Sequence, residues 1–346
     1  MIHQPVVDVR EADLRDDREV ARIDAFVRAR PDATPFHLPG WSRAVQAGCR
    51  QRARYLVAER ANGSVAGVLP LTEMRSPLFG RALVSAGFGV GGGVLGGAVE
   101  ELAAAAWALA GRRRCPSVEL RGGPGPAGWT GDDMTYLGFA RPLASDDAAE
   151  LLAVLRKQRA EVRRALGGAM EVAIGRDDAA LREHGRVYAE SVRNLGTPVF
   201  PAGLFRAALE QLDADILTVR HEGGAVASVL SLYLNGTVYP YWGGGTAAAR
   251  SLRANDRMYF ALMAHARARG CTRFDFGRSK AGTGAAAFKK NWGFTPEPLR
   301  YWSRSQGARR EVNPLNPRYA ALVRTWKRLP LPVANLAGPL IARGLG

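Results

Sequence analysis

YLVAERANGSVAGVLPL, residues 55–71, reads as two apolar strands folded back on each other through an Asn62-Gly63 turn. LTVRHEGGAVASVLSLY, residues 217–233, repeats the design around Gly223-Gly224. The repetition continues outward from both hairpins. Each is followed by a glycine cluster, Gly91 to Gly93 and Gly243 to Gly245. A helical segment comes next. The first ends near Ala110; the second opens on Asn255 as N-cap and stops before Gly270. A strand follows, VELRGGP (118–124) in one copy and FDFGRSKAG (274–282) in the other, and each copy closes on an aromatic-Gly-Phe segment, YLGF (136–139) and NWGF (291–294).

Hairpin, glycine-rich strand end, helix, strand and Gly-Phe, in that order, is the order of a GNAT fold, and two copies in register imply a duplication. The expected fold class is α/β (α+β), with two tandem GNAT-like domains whose mixed central sheets face a shared cleft. The expected division is 1–148, 149–310 beginning with a basic helix, and a Pro-rich basic and apolar tail at 311–346. In that tail Pro314, Pro317, Pro330, Pro332 and Pro339 leave room for one helix, around Arg318 to Lys327, before a loose apolar end.

The 346 residues are 47% hydrophobic, enough for a substantial core, and carry a formal charge of +16 with a pI near 10.5. Such a field favours anionic partners, although an arginine-rich coding bias produces the same balance. Cys49, Cys115 and Cys271 stand singly, which suggests neither disulfides nor zinc and fits a reducing, cytoplasmic compartment. The N-terminus has no apolar signal-peptide core, and the long uncharged run Ala82 to Val99 is too glycine-rich for a membrane helix.

Between the copies, Leu151, Leu155, Val162 and Leu166 form one helical stripe in AELLAVLRKQRAEVRRAL (149–166). Arg156, Arg159 and Arg163 lie together beside it, with Lys157 and Arg164 in a second basic row. The row is either a solvated face or an anion-binding one. FDFGRSKAGTGAAAFKKNWGF (274–294) is the densest polar stretch. Asp275 lies opposite the aromatics of its strand, and Arg278, Ser279 and Lys280 follow at a glycine-flanked turn with Thr283, a candidate phosphate or carboxylate site. It is not a Walker loop. Lys289, after Phe288, is placed to neutralise charge on a carbonyl oxygen or a leaving hydroxyl. Tyr188, Ser191, Arg193 and Asn194 crowd a Gly-Pro-punctuated loop and are candidate substrate contacts. Tyr239, Tyr241 and Trp242 either line a cleft floor or fill the two faces of a strand. GxSxG and HExxH are absent, and the five histidines are not at metal spacing, so no metal or resident cofactor is expected.

PVF after RNLGT, YPYWGGG, AND before Met258-Tyr259, DFGRSKAGTG and FKKNWGF together resemble the FemAB family, most closely its branch associated with PEP-CTERM and exosortase systems. FHLPGWSRAV (36–45) and LPLTEMRSPLFGRALVS (69–85) carry the resemblance into the first half, so it spans roughly residues 35–303. It implies a pair of GNAT-like domains with a cleft between them. It also implies transfer of an amino acid from aminoacyl-tRNA to an amine of an envelope precursor, with the Phe-Lys pair of that family falling on Phe288 and Lys289. Two features depart from the pattern. The helical arm of Fem enzymes is missing, and so is the acyl-CoA loop [RQ]xxGx[GA] of ordinary GNAT proteins. The donor stays open between aminoacyl-tRNA and acyl-CoA, each a co-substrate. The expected acceptor is an envelope or exopolysaccharide precursor. Lys289 is assigned to charge stabilisation, Arg278 with Lys280 to anion clamping, and Asp275 or a substrate phosphate to proton removal. The rival class is a polyanion-binding module without turnover. DNA is not an expected partner. The tail is expected either at the inner membrane surface or packed on the enzyme.

Overall fold

Turn chemistry sets the two hairpins. In the first, Asn62 Oδ1 accepts from the Ser64 N–H and Gly63 takes φ +78, joining β2 (Arg52–Arg60) to β3 (Val65–Ser76). In the second, Glu222 and Gly223 both take positive φ, the geometry of a type I′ turn, between β9 (Ala214–His221) and β10 (Gly224–Leu234). A further turn of this kind at Asn235-Gly236 leads into β11 (Thr237–Gly245).

The structure, a computed structural model, describes residues 7–307 and 320–346. The proposed boundary at 310, Pro314 and Pro317 lie outside the described residues. The first half runs β1 (Val7–Glu11), α1 (Asp17–Arg28), α2 (Pro39–Cys49), β2, β3, β4 (Gly80–Ser85), β5 (Leu95–Gly96), α3 (Val99–Arg112), β6 (Ser117–Arg121) and β7 (Thr130–Pro142). The second opens with α4 (Asp147–Ala153), α5 (Arg156–Leu166), β8 (Glu171–Gly175), α6 (Asp178–Leu195) and α7 (Ala202–Gln211). After β9, β10 and β11 come α8 (Ala249–Leu252), α9 (Ala254–Ala268), β12 (Arg273–Lys280), α10 (Gly284–Asn291) and β13 (Pro296–Ser305). The chain ends in α11 (Ala320–Arg328) and α12 (Leu331–Ala342).

The duplication is plain in the sheet, but the two expected sheets are one. Thirteen strands run in the order β1-β2-β3-β4-β6-β13-β7-β12-β11-β10-β9-β8, with β5 on β3. Each half sends its last strand across: β13 pairs with β6, β7 with β12, and the two travellers pair antiparallel with each other. Among the described residues no strand edge is left at the middle of the sheet.

Several local expectations are corrected. YLGF lies inside β7, whereas NWGF closes α10, so these landmarks are not equivalent. The basic helix breaks at Val154–Leu155, where the Leu155 N–H bonds the Asn291 carbonyl, so the leucine stripe is divided between α4 and α5. Arg253, in left-handed conformation at φ +58, precedes α9 in place of the expected Asn255 cap. The supposed loop carrying Tyr188 to Asn194 is the second half of α6. The apolar end is helical: Pro330 and Pro332 fall at its N-cap and first turn, where no N–H is required, and Pro339 is carried inside the helix without ending it.

Candidate active site

Two parallel strand pairs hold together only briefly. β4 and β6 pair at Leu83–Val118 and Val84–Glu119, and β11 and β12 at Thr237–Arg273 and Val238–Phe274. Beyond these residues the parallel pairing stops and the strand ends form a wedge, which in the first half is bridged by Ser85 Oγ accepting from the Arg121 N–H at 2.7 Å and by the Gly93 N–H on the Arg121 carbonyl. In the second half both walls of the wedge are bulged. On β11, Leu230 faces Trp242 and Ser231 faces Pro240, leaving Tyr241 as the extra residue. On β12 the bulge falls between Asp275 and Arg278, and Gly277 takes φ +67, a conformation that favours glycine.

The β12 bulge is where the sequence motif meets. Thr283 caps α10, accepting from the Ala286 N–H at 3.4 Å and donating to the Lys280 carbonyl at 2.8 Å. One face of α10 then aims Lys289 back at the bulge. Its ammonium donates to the carbonyls of Gly277 at 3.3 Å and Arg278 at 2.9 Å, and lies 5.3 Å from the ring centres of both Phe139 and Phe276. Lys289 is only 9% exposed. Burial pulls its pKa down to about 7; Asp275 opposes the shift and Arg278 adds to it. Asp275 accepts from the Gly277 N–H at 2.8 Å, and burial raises its pKa above the ordinary carboxylate value. A lysine and an acid both displaced toward neutrality thus share one bulge.

Arg278 points into a cage of tyrosines. Its Nη1 donates to the Tyr301 hydroxyl at 2.9 Å, and its guanidinium lies 4.6 Å from the Tyr136 ring centre. Among the described residues no carboxylate pairs with it. The cage is also the seam between the halves. Three successive carbonyls of the first half each accept one donor: Phe88 from the Tyr241 hydroxyl, Gly89 from Arg121 Nη1 at 2.9 Å, and Val90 from the Tyr301 hydroxyl at 2.8 Å. Ser279 is buried beside Arg278, and Lys280 Nζ lies 5.7 Å from the Tyr136 ring centre. Phe288 packs on Tyr259, Phe276 and Trp292 behind the lysine.

Other candidates are elsewhere. Tyr188 is buried, stacked on His184 and edge-on to Phe205. Arg193 donates to the Lys327 carbonyl at 3.3 Å, and Asn194 is exposed at the end of α6. On α5, Arg156 and Arg163 are exposed, but Arg159 donates to the Leu152 and Val154 carbonyls and closes α4. Sequence reading did not assign Tyr136, Phe139, Tyr301 or Arg121 to the site: the first three reach it only through the exchanged strands β7 and β13, and Arg121 comes from the end of β6. No local signal marks them.

The helix that follows each wedge matters for phosphate. The first turn of α9 carries Asp256, which accepts from Gln158 at 2.6 Å and is raised to about 6 by burial and by the neighbouring Glu161 charge. The first turn of α3 carries Glu100 and Glu101. Both helix N-termini therefore face acidic side chains of their own.

The acetyltransferase (GNAT) domain family matches residues 149–290. No curated protein sequence matches the chain. The crystal structure of FemX is similar, with a TM-score of 0.67 at 15% identity over 85% of this chain and 96% of that one. So is the C-terminal domain of a putative lysylphosphatidylglycerol synthetase from Agrobacterium fabrum, with a TM-score of 0.58 at 14% identity, covering 84% and 93%. A tandem GNAT protein from the clavulanic acid biosynthesis pathway gives 0.54 at 15% identity, covering 88% of this chain and all of that one. The fold is a mixed α/β, GNAT-like fold in duplicate.

Proposed function

We propose that the chain is an acyltransferase of FemAB type, moving an aminoacyl or N-acyl group onto a cell-envelope or exopolysaccharide precursor at the β12–α10 site. The observation that carries the reading is Lys289, buried at the Asp275–Arg278 bulge with its pKa displaced to about 7. The acceptor amine attacks the donor carbonyl carbon, a C–N bond forms, and the ester C–O bond breaks with the electron pair leaving on the ribose or carrier oxygen. Protonated Lys289 stabilises the negative charge that builds on these oxygens. Asp275, raised by burial, takes the amine proton, and the leaving oxygen gains one from the lysine or solvent. Arg278, without a carboxylate partner among the described residues, holds an anionic group of donor or acceptor in the tyrosine cage.

The likeness to FemX and to the synthetase domain supports an activated aminoacyl donor on a polyanionic carrier. The electrostatics support it independently. A CoA pyrophosphate seated on α9 or α3 meets Asp256 or Glu100 and Glu101, and Arg253 stands where the missing loop needs its glycine. The test offers purified protein charged tRNA and a panel of acyl-CoA thioesters separately, with an amine acceptor pool. Deacylation of charged tRNA that requires Lys289 and acceptor is expected. Lys289-dependent release of free CoA, with charged tRNA left intact, overturns the donor and makes the chain a CoA-dependent GNAT enzyme.

A further inference from the structure

The C-terminal helices are patterned inside out. Along α12, Ala334, Gly338 and Ala342 recur at helical spacing and are buried. A Cβ on Gly338 would sit 3.0 Å from Val199 Cγ1, so this face is packed to contact on the small residues. Val333, Leu336 and Leu340 recur on the opposite stripe and are exposed, Leu336 to 79%. α11 is anchored likewise: Val323 abuts Gly196, and Arg193 bonds the Lys327 carbonyl. Leu322 is left 65% exposed. Leu195 beside Gly196, and Leu78 beside the Pro77 that shares a cavity with Leu340, extend the surface. Six of the ten exposed large hydrophobic side chains among the described residues thus lie on or beside these two helices. Scattered leucines need no explanation, but a concentration does.

We infer that the surface carried by α11 and α12 is a docking surface for an anionic phospholipid bilayer. Charge selects the occupant. From residue 320 to the end there is no acidic residue, while Arg324, Lys327, Arg328 and Arg343 are basic. Arg50 and Arg75 line the cavity beside Leu340 together with Arg343. A second copy of a chain carrying +16 brings the same positive rim to the contact and is repelled; anionic headgroups are attracted. Neither helix is long enough to span, and no helix among the described residues is long and apolar enough to cross a membrane. The two helices therefore lie in the interfacial plane with their leucines in the acyl boundary. The Gln51 bond to the Arg343 carbonyl at 2.7 Å fixes α12 to the first half, so docking fixes the orientation of the whole enzyme.

The test floats the full chain with vesicles of phosphatidylcholine alone and of phosphatidylcholine mixed with phosphatidylglycerol. Binding to the anionic vesicles only, weakened by salt, is expected. Leu336→Ser with Leu340→Ser should weaken it about tenfold or more. Arg324→Gln and Arg328→Gln should each weaken it about fivefold. All four positions are exposed, so thermal unfolding should be unchanged. Equal binding to neutral vesicles, no flotation, or wild-type binding by the leucine variant overturns the proposal. So does a native mass of two chains that falls to one in the leucine variant, which would make the face a self-contact.

Discussion

Lys289 is the residue at which packing and chemistry are hardest to separate. Its ammonium ties the β12 bulge together through two carbonyls, and its pKa lies about where a catalytic proton is most useful. The folded value is depressed from 10.5 to about 7, so the folded state releases the proton more easily than the unfolded chain. The burial penalty is full below pH 7 and fades as pH rises toward 10.5. If the ammonium is the working form, turnover falls as pH rises through about 7. Lys289→Arg should carry that falling limb to higher pH, since arginine keeps its charge. Lys289→Met keeps most of the apolar stem and should lower turnover by ~10²-fold or more. A limb that stays near 7 in the arginine variant, or near wild-type turnover in the methionine variant, removes Lys289 from the reaction. The Phe288-Lys289 pair was legible as a candidate, but the lysine's burial was not. Phe139 and Tyr301, which enclose the bulge, come from β7 and β13, whose adjacency no local pattern announces.

At the scale of elements, the crossing of α2 and α7 shows what a sequence pattern hides. Gly48 in α2 reads as an ordinary weak point of a helix, where alanine normally adds about 0.5–1 kcal/mol. Here a Cβ would lie 2.3 Å from Leu204 Cα, against backbone that cannot swing aside. Gly48→Ala should therefore destabilise the chain, by about 2–3 kcal/mol, measured by urea unfolding. An unchanged or raised midpoint would show that the helices can part at no cost. The hairpins were legible because Asn62-Gly63 and the glycines at 223–224 mark turns locally, although the second turn falls on Glu222-Gly223 and Gly224 already belongs to β10. The break before α5 was not, because it depends on the Asn291 carbonyl in another element. In α12 counting prolines misled: Pro330 and Pro332 fall at the N-cap and first turn, and even Pro339, inside the helix, does not end it.

Across the whole molecule, strand exchange makes the two copies interdependent. β6 has β13 as its outer neighbour and β12 has β7, so a first half alone loses the partner of β6 and leaves β7 with neither β12 nor β13. One hydrophobic cluster also joins Phe36 and Trp41 of the first half to Phe205, Tyr239 and Trp242 of the second. A chain of two tandem domains would usually show two unfolding steps. This one should show a single cooperative transition, the same by tryptophan fluorescence and by far-ultraviolet circular dichroism. Residues 1–148 and 149–346 expressed apart should each aggregate or stay unfolded, because each exposes unpaired strand edges and half of a shared apolar cluster. Expressed together they should associate, since the exchanged strands are continuous with their own halves and need no chain connection to pair. The site gives the second readout: Arg278 and Lys289 come from one half, while Tyr136, Phe139 and the Phe88–Val90 carbonyls come from the other. Turnover should therefore return only with the co-expressed pair. A soluble 1–148 fragment with native-like unfolding, or transfer activity in 149–346 alone, would show that the exchange is incidental and that one copy carries the chemistry unaided.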